Sequence, residues 1–291
     1  MAISQFVKSA TEAFRVGWKI ESNWTDPVLF ATYQIIRPLG SLLIVAFIVL
    51  IGVSYGASTG SVTSGFYNQY LAYLIIGNAF YAYVFQIIFG MAFIVPIDRN
   101  RYEVLKNVYL SPGALQPYMI GRGLVSVVNG TISVFLTLLL SVVIFNWIMH
   151  LNIPLNLLGA NFLMLIPALA LGIVALLAIG LMLVAVNLVS NRVQFLIGDA
   201  ISGIFFLLGG VVFPVSKLPG AVQWIGAALP ITYFLDAIRE SFGLTSTSTY
   251  VSDLAYLALT TIITVAIGLA VFRIGEERAR RLGLFDRKSE Y

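Results

Sequence analysis

The chain has 291 residues, of which 59% are hydrophobic and only 10% charged, and its mean hydropathy is +0.93. Soluble domains carry about a quarter charged residues, so this composition excludes a soluble globular fold and defines an integral membrane protein. With no cysteine, one histidine (His150) and a net charge of +4, the chain has no disulfide framework, no thiolate chemistry and no His-based metal ligand set, and where its charges lie says more than their sum.

Residues 1–34 begin with an amphipathic pattern. Ile3, Phe6, Val7, Ala10, Phe14 and Trp18 recur at helical spacing, while Gln5, Lys8, Glu12, Arg15 and Lys19 take the opposite face. Trp18 and Trp24 suit headgroup depth, which predicts a helix lying along the membrane; a soluble amphipathic helix packed on a partner has the same pattern. Acids and bases interrupt Met1 to Ile20, so no secretory signal is read there and the first span is expected to act as an uncleaved insertion signal.

A membrane span needs about 20 apolar residues. Residues 35–95 hold two spans, about Pro38 to Tyr55 and Tyr70 to Val95, joined by an uncharged loop rich in Ser, Gly and Thr. Residues 119–213 hold three more. Span three runs from about Ile120 to Phe145 and precedes a loop at about Asn146 to Asn156. Span four, Leu157 to Val189, is long enough to tilt and has a kink point at Pro167, and span five, Val193 to Phe213, contains Asp199. Residues 214–252 differ. Gly220 to Leu229 and Ile231 to Phe242, separated by Pro230, are each too short to cross and predict outer re-entrant or interfacial helices. Span six, about Leu254 to Phe272 within residues 253–273, is followed by a basic tail, 274–291. The expected fold is thus an all-α membrane protein with six transmembrane helices in a single domain, 1–291, with no internal repeat and no separate soluble domain.

Charge sets the orientation. With both termini inside, fifteen of the 17 lysines and arginines lie on the cytoplasmic side and only Lys217 and Arg239 lie outside, a strong positive-inside asymmetry. The expected location is the plasma membrane, with many passes and cytoplasmic N- and C-termini.

Residues 96–118 form a charged island between two long silent stretches: no Asp, Glu, Lys or Arg occurs from Pro38 to Ile97, nor from Gly123 to Asn191. Such a segment reads as a water-facing platform. Arg101, Glu103 and Lys106 can share a short helix whose apolar side is Val104, Leu105 and Val108, ended by Ser111-Pro112-Gly113. A short amphipathic helix there suits docking in a partner's groove; a loop resting on headgroups is the plainer alternative.

Catalytic parts are scarce. A phosphate-cradling loop needs a Gly-Lys pair, and none of the five lysines follows a glycine, so ATP hydrolysis by this chain is not expected. Asp236 and Glu240 lie one turn apart with Arg239 between them, which reads as a local charge network before a catalytic dyad. Asp199 is the only acid well inside an expected span. Two readings stay open for it: a substrate or proton site, or a structural group paired with Arg192 or Arg122 or reaching water.

Four features in order resemble the permease subunits of type-2 ABC exporters. They are the basic amphipathic N-terminal helix, the island Arg101-Tyr102-Glu103-Val104-Leu105 running to Ser111-Pro112, the short pair after span five, and Pro230-Ile-Thr-Tyr-Phe-Leu-Asp-Ala-Ile-Arg-Glu240 preceded by Phe213-Pro214 and Leu218-Pro219. The resemblance implies a homodimer or pseudo-dimer of six-span subunits in contact with membrane lipid, each seated on a cytoplasmic ABC ATPase that binds ATP and Mg, with no nucleic-acid partner. It implies that the island, with Arg99, Arg101, Glu103, Leu105, Lys106, Ser111 and Pro112, is the coupling helix. It also implies that the outer segment carrying Pro214, Pro219, Pro230, Tyr233, Asp236, Arg239 and Glu240 caps the exit, while spans one, two and five line the path. Few charges in the spans favour a drug, lipid or lipid-linked glycan over small ions. The competing expectations are an ion-coupled carrier using Asp199 and a membrane scaffold or sensor that transports nothing.

Overall fold

The computed structural model describes residues 3–23, 27–59, 64–100, 103–111, 114–148, 160–190, 196–244 and 248–285. Ten α-helices follow in order among them: α1 (Ile3–Asn23), α2 (Pro27–Thr59), α3 (Ser64–Asn100), α4 (Leu105–Leu110), α5 (Leu115–Val142), α6 (Phe162–Val189), α7 (Ile197–Leu208), α8 (Gly220–Ala228), α9 (Pro230–Ser241) and α10 (Tyr250–Arg281). Five helices, α2, α3, α5, α6 and α10, are long and apolar enough to cross a membrane, and a sixth crossing follows if the bent pair α8–α9 counts as one. The protein is therefore an all-α, multi-pass membrane protein.

The central helix is α3. Ile76, Val84, Ile87, Ile88, Met91 and Val95 along it are all buried against α5, α6 and α9. The α6–α10 pair closes through small residues: a Cβ on Gly268 or Gly275 would fall within 3.0 Å of Ala178 or Ala185 atoms. Backbones that approach this closely gain van der Waals contact that lipid cannot replace. At its far end α5 widens into a π-turn, Val143–Ile148, which seats Phe145 beside Leu42, Leu71 and Ile75 of α2 and α3. Outward faces stay apolar, with Ile44 and Phe47 on α2 and Ile262 on α10 exposed, as the outside of a bundle in lipid requires.

The amphipathic N-terminal helix is used differently from a free interfacial helix. Its Ala10 and Ala13 are buried, and a Cβ on Gly121 of α5 would sit 2.2 Å from the Ala10 carbonyl. α1 thus lies directly on α5, with Lys8, Arg15 and Lys19 still facing out.

Span five is shorter than expected. Instead of Val193 to Phe213, the helix covers Ile197–Leu208, 12 residues, or about 18 Å at 1.5 Å per residue against about 30 Å of hydrocarbon; residues 191–195 lie outside the described residues. The cause is visible at its far end. Gly210 adopts φ +77°, and the freed carbonyls find donors: Tyr73 Oη and Arg239 Nη2 donate to Gly210 O at 3.0 and 2.9 Å, Arg239 Nη2 to Val211 O at 3.1 Å, and Tyr70 Oη to Val212 O at 3.2 Å. A helix can stop at this depth only because those groups are satisfied.

The chain then makes an excursion. A 3-10 turn, Val215–Lys217, leads to α8 and α9, which meet at a 77° bend. Pro214 caps that turn, Pro219 is the N-cap of α8 and Pro230 is the first residue of α9. Because Arg239 near the end of α9 bonds to Gly210 and Val211, the excursion returns to the level where it began.

Candidate functional site

One end of the bundle gathers the charged groups. Asp98 and Arg99 belong to the last turn of α3, not to a water-facing loop as the sequence suggests. Asp98 is 0% and Arg122 of α5 is 4% exposed. Arg122 Nη2 donates to Asp98 Oδ1 at 3.3 Å and Tyr118 Oη to Asp98 Oδ2 at 2.7 Å. Arg99 turns inward, its Nη2 donating to Leu188 O at 3.0 Å and Nη1 to Asn187 O at 3.5 Å, so it caps the C-terminal carbonyls of α6. Asn187 returns a bond to α3, its Nδ2 donating to Ala92 O at 2.7 Å.

The short helix α4 hangs from this knot. Val104 N donates to Asp98 O at 2.9 Å, and Leu105 is buried, so Leu105 is an anchor and not an outward contact. Glu103, which the sequence places on the helix, precedes it and holds φ +54°, a conformation that turns the chain sharply from α3 into α4. Glu103, Lys106, Asn107, Leu110 and Ser111 are exposed. Arg101 and Pro112 lie outside the described residues.

A second cluster joins α1 to the same end. Glu21 accepts a hydrogen bond from Asn129 Nδ2 of α5, and Asn129 Oδ1 accepts from Gln34 Nε2 of α2 at 3.3 Å. Burial pushes the Glu21 carboxyl above the usual carboxylate range, partly opposed by Arg122 and Asn129.

Nearer the middle, a cavity of about 220 Å³ opens between α2, α3, α5, α7 and the turn after α7. Ile44, Val45, Ile48, Leu74, Phe85 and Phe206 supply its apolar wall; Ser41, Asn78, Tyr81, Gln86, Ser133 and Thr137 supply hydroxyls and amides. Among the described residues no charged side chain lines it. Its polar groups are held in place, with Asn78 Nδ2 donating to Ser41 Oγ at 3.1 Å, Gln86 Nε2 to Ser133 Oγ at 3.0 Å and Tyr81 Oη to Ser202 O at 2.6 Å. Sequence reading missed this row, although Asn78 and Gln86 are amides eight residues apart in an otherwise apolar span, which places them two turns apart on one face.

Asp199 is not part of the cavity. It occupies the first turn of α7 and is exposed, where a carboxylate favours the helix N-terminus. In the folded-back segment Arg239 is 0% exposed, drier than its sequence setting suggests. It bonds to Asp236 Oδ1 at 3.2 Å and lies 3.6 Å from the Tyr73 ring centroid. Glu240 accepts from Thr249 Oγ1, and Tyr233 Oη donates to Ala227 O at 2.8 Å while its ring stacks on Tyr256 at 5.3 Å. Asp236 and Glu240 therefore serve separate contacts, the first to α9's own arginine and the second to the start of α10.

These features define a helical membrane subunit with a braced short helix at one end, an uncharged cavity within and a folded-back segment at the other end. The sequence pattern of the ABC-2 type transporter family matches residues 17–242, and the chain belongs to that family. It is accordingly a membrane (permease) subunit of an ABC transporter, a family whose members associate with an ABC ATPase. No curated protein matches the chain.

Proposed function

We propose that this subunit forms the translocation path of an ATP-driven exporter for a hydrophobic or amphipathic substrate such as a drug, lipid or lipid-linked glycan. A separate cytoplasmic ATPase supplies the energy and binds ATP and Mg. The carrying observation is the suspension of α4 from the buried Asp98–Arg122–Tyr118 knot. A six-residue helix is marginal alone; tied rigidly to the ends of α3 and α5, it is a lever through which closure of an ATPase pair biases the permease between two states. In this reading Glu103, Lys106 and Ser111 meet the ATPase, both termini are cytoplasmic, and the α8–α9 excursion is re-entrant on the outer side. A second copy covers the exposed faces of α2 and α7 beside the cavity, giving a homodimer.

The uncharged cavity supports the substrate class, and an ion-coupled mechanism gains nothing from Asp199 at an exposed helix start. The test is reconstitution in proteoliposomes with and without the cytoplasmic ATPase, following efflux of a fluorescent lipid and of an amphipathic dye. ATP-dependent efflux requiring both subunits is expected. Efflux by the permease alone, without nucleotide, overturns the reading.

A further inference from the structure

α4 has a second anchorage, at the far end of the sequence. α10 ends in a built turn: Leu282 N donates to Arg278 O at 3.1 Å, Gly283 N to Arg280 O at 3.2 Å and Leu284 N to Ala279 O at 3.0 Å, with Gly283 at φ +64°. This reversal satisfies the last carbonyls of α10 and brings Phe285 back toward the bundle, where it is only 8% exposed. Phe285 then stacks on Tyr109 of α4, with centroids 4.3 Å apart and planes at 9°. Arg280 sits 5.2 Å from the same Tyr109 ring and is itself held by Glu276 at 3.2 Å. Aromatic stacking of this kind adds to what burial supplies, and it counts for a six-residue helix whose N-terminus has no side-chain cap.

We propose that the C-terminal turn, Leu282–Phe285, clamps α4 and sets the angle at which it is presented to the ATPase, with Tyr109, Arg280 and Phe285 as positioning residues. The clamp gives force on α4 a second route, into α10, besides the route through α3 and α5. α10 lies along α6 and meets the outer segment at Thr249, where Glu240 of α9 accepts its hydrogen bond, so the clamp links the inner lever to the outer excursion by one continuous helix. Of its residues, Arg280 and Phe285 lie beyond residues 17–242, over which the family pattern extends, while Tyr109 lies within them. The functional part of the proposal rests on the ATPase reading above; the mechanical part does not.

The experiment uses the absence of native cysteine. Asn107→Cys on α4 and Arg281→Cys on α10 carry spin labels in the full-length chain in lipid nanodiscs, and electron paramagnetic resonance reads their distance distribution. A single narrow distribution is expected. Phe285→Ala and Tyr109→Leu should each broaden it at least twofold, whereas Tyr109→Phe, which keeps the stacked ring, should leave it narrow. An unchanged width in both disrupted variants overturns the clamp. With the ATPase added, Phe285→Ala should keep the subunit stoichiometry yet lose several-fold of the permease-dependent control of ATP hydrolysis, and Phe285→Tyr should restore it. Full control retained in Phe285→Ala overturns the positioning role. If no ATPase associates with the native chain, the transporter reading fails while the label distances still decide the clamp.

Discussion

Arg122 Nη2 lies 3.3 Å from Asp98 Oδ1 with both side chains sealed from solvent, and the backbone carbonyl of that same Asp98 holds the first residue before α4. Removing one partner of a buried pair leaves an uncompensated charge, at a cost of about 3–5 kcal/mol. Arg122→Met should therefore lower stability by about that amount, and the double variant Asp98→Asn, Arg122→Met should recover a substantial part of it. Thermal unfolding of the purified subunit in detergent measures both; equal losses in the single and double variants would show that the pair is not the source of the effect.

At the opposite end, Gly77 makes room for Arg239: a Cβ at position 77 would lie 2.3 Å from Arg239 Nη2 and 2.6 Å from Val211 O. Gly77→Ala should displace the guanidinium, leaving Val211 O without its Arg239 donor and Gly210 O with Tyr73 alone, at a cost of about 1–3 kcal/mol. Hydrogen exchange should rise at residues 209–213 and along α9, and an unaltered exchange pattern there would contradict this account of why α7 ends early.

The long charge-free runs made the five full-length helices legible, and Pro219 and Pro230 marked the starts of α8 and α9 closely. Where sequence reading went astray, the partners lay far apart in the chain. The end of α7 depends on Tyr70, Tyr73 and Arg239, and a window around Val193 to Phe213 contains none of them, although Gly209-Gly210 before Pro214 is itself a stop signal. Asp98 and Arg99 look wet because charge usually is; Arg122, isolated in an apolar stretch, was the hint that a counterion had to be buried beside it. The cavity was harder still, since its wall is assembled from α2, α3, α5, α7 and the turn after α7.

Glu103 combines an exposed carboxylate with a left-handed backbone, and two substitutions separate these roles. Left-handed geometry costs a side-chain-bearing residue about 1–2 kcal/mol, so Glu103→Gly should leave stability unchanged or raise it by about 1 kcal/mol while removing the carboxylate. Glu103→Arg keeps the strain and reverses the charge. Both should insert normally and bind the ATPase with reduced control of hydrolysis, the arginine variant more severely. Full control in Glu103→Gly would assign the position a purely backbone role.

Glu21 gives the α1–α5 junction a pH dependence whose sign follows from its raised carboxyl. A folded-state value above the unfolded one means the folded form binds the proton more tightly, so stability falls as pH rises from the ordinary carboxylate value of 4.5 through the raised one. Arg122 and Asn129 oppose the shift, Gln34 reaches Asn129 from α2, and burial still prevails. Protection of α1 against hydrogen exchange should therefore increase on acidification through that window. Glu21→Gln, which keeps an acceptor for Asn129, should give the tighter junction at neutral pH and flatten the dependence. A pH response equal to that of the native chain would remove Glu21 as its cause.

The cavity and Asp199 make opposite predictions under the two transport mechanisms. Gln86 lines the cavity and is fixed by Ser133, so Gln86→Leu removes an uncharged polar contact without altering the charge of the path. It should change which neutral amphiphiles stimulate ATP hydrolysis in the reconstituted complex, by about tenfold for a compound that used the amide, and leave basal hydrolysis near native. Asp199→Asn removes only a favourable charge at the start of α7, worth about 0.3–1 kcal/mol, and should leave transport nearly unaltered. The reverse pattern, with transport lost in Asp199→Asn and untouched in Gln86→Leu, would favour ion coupling through Asp199. An ATP-driven path has no use for a carboxylate at an exposed helix start, whereas a carrier coupled to protons or sodium through Asp199 cannot work without it.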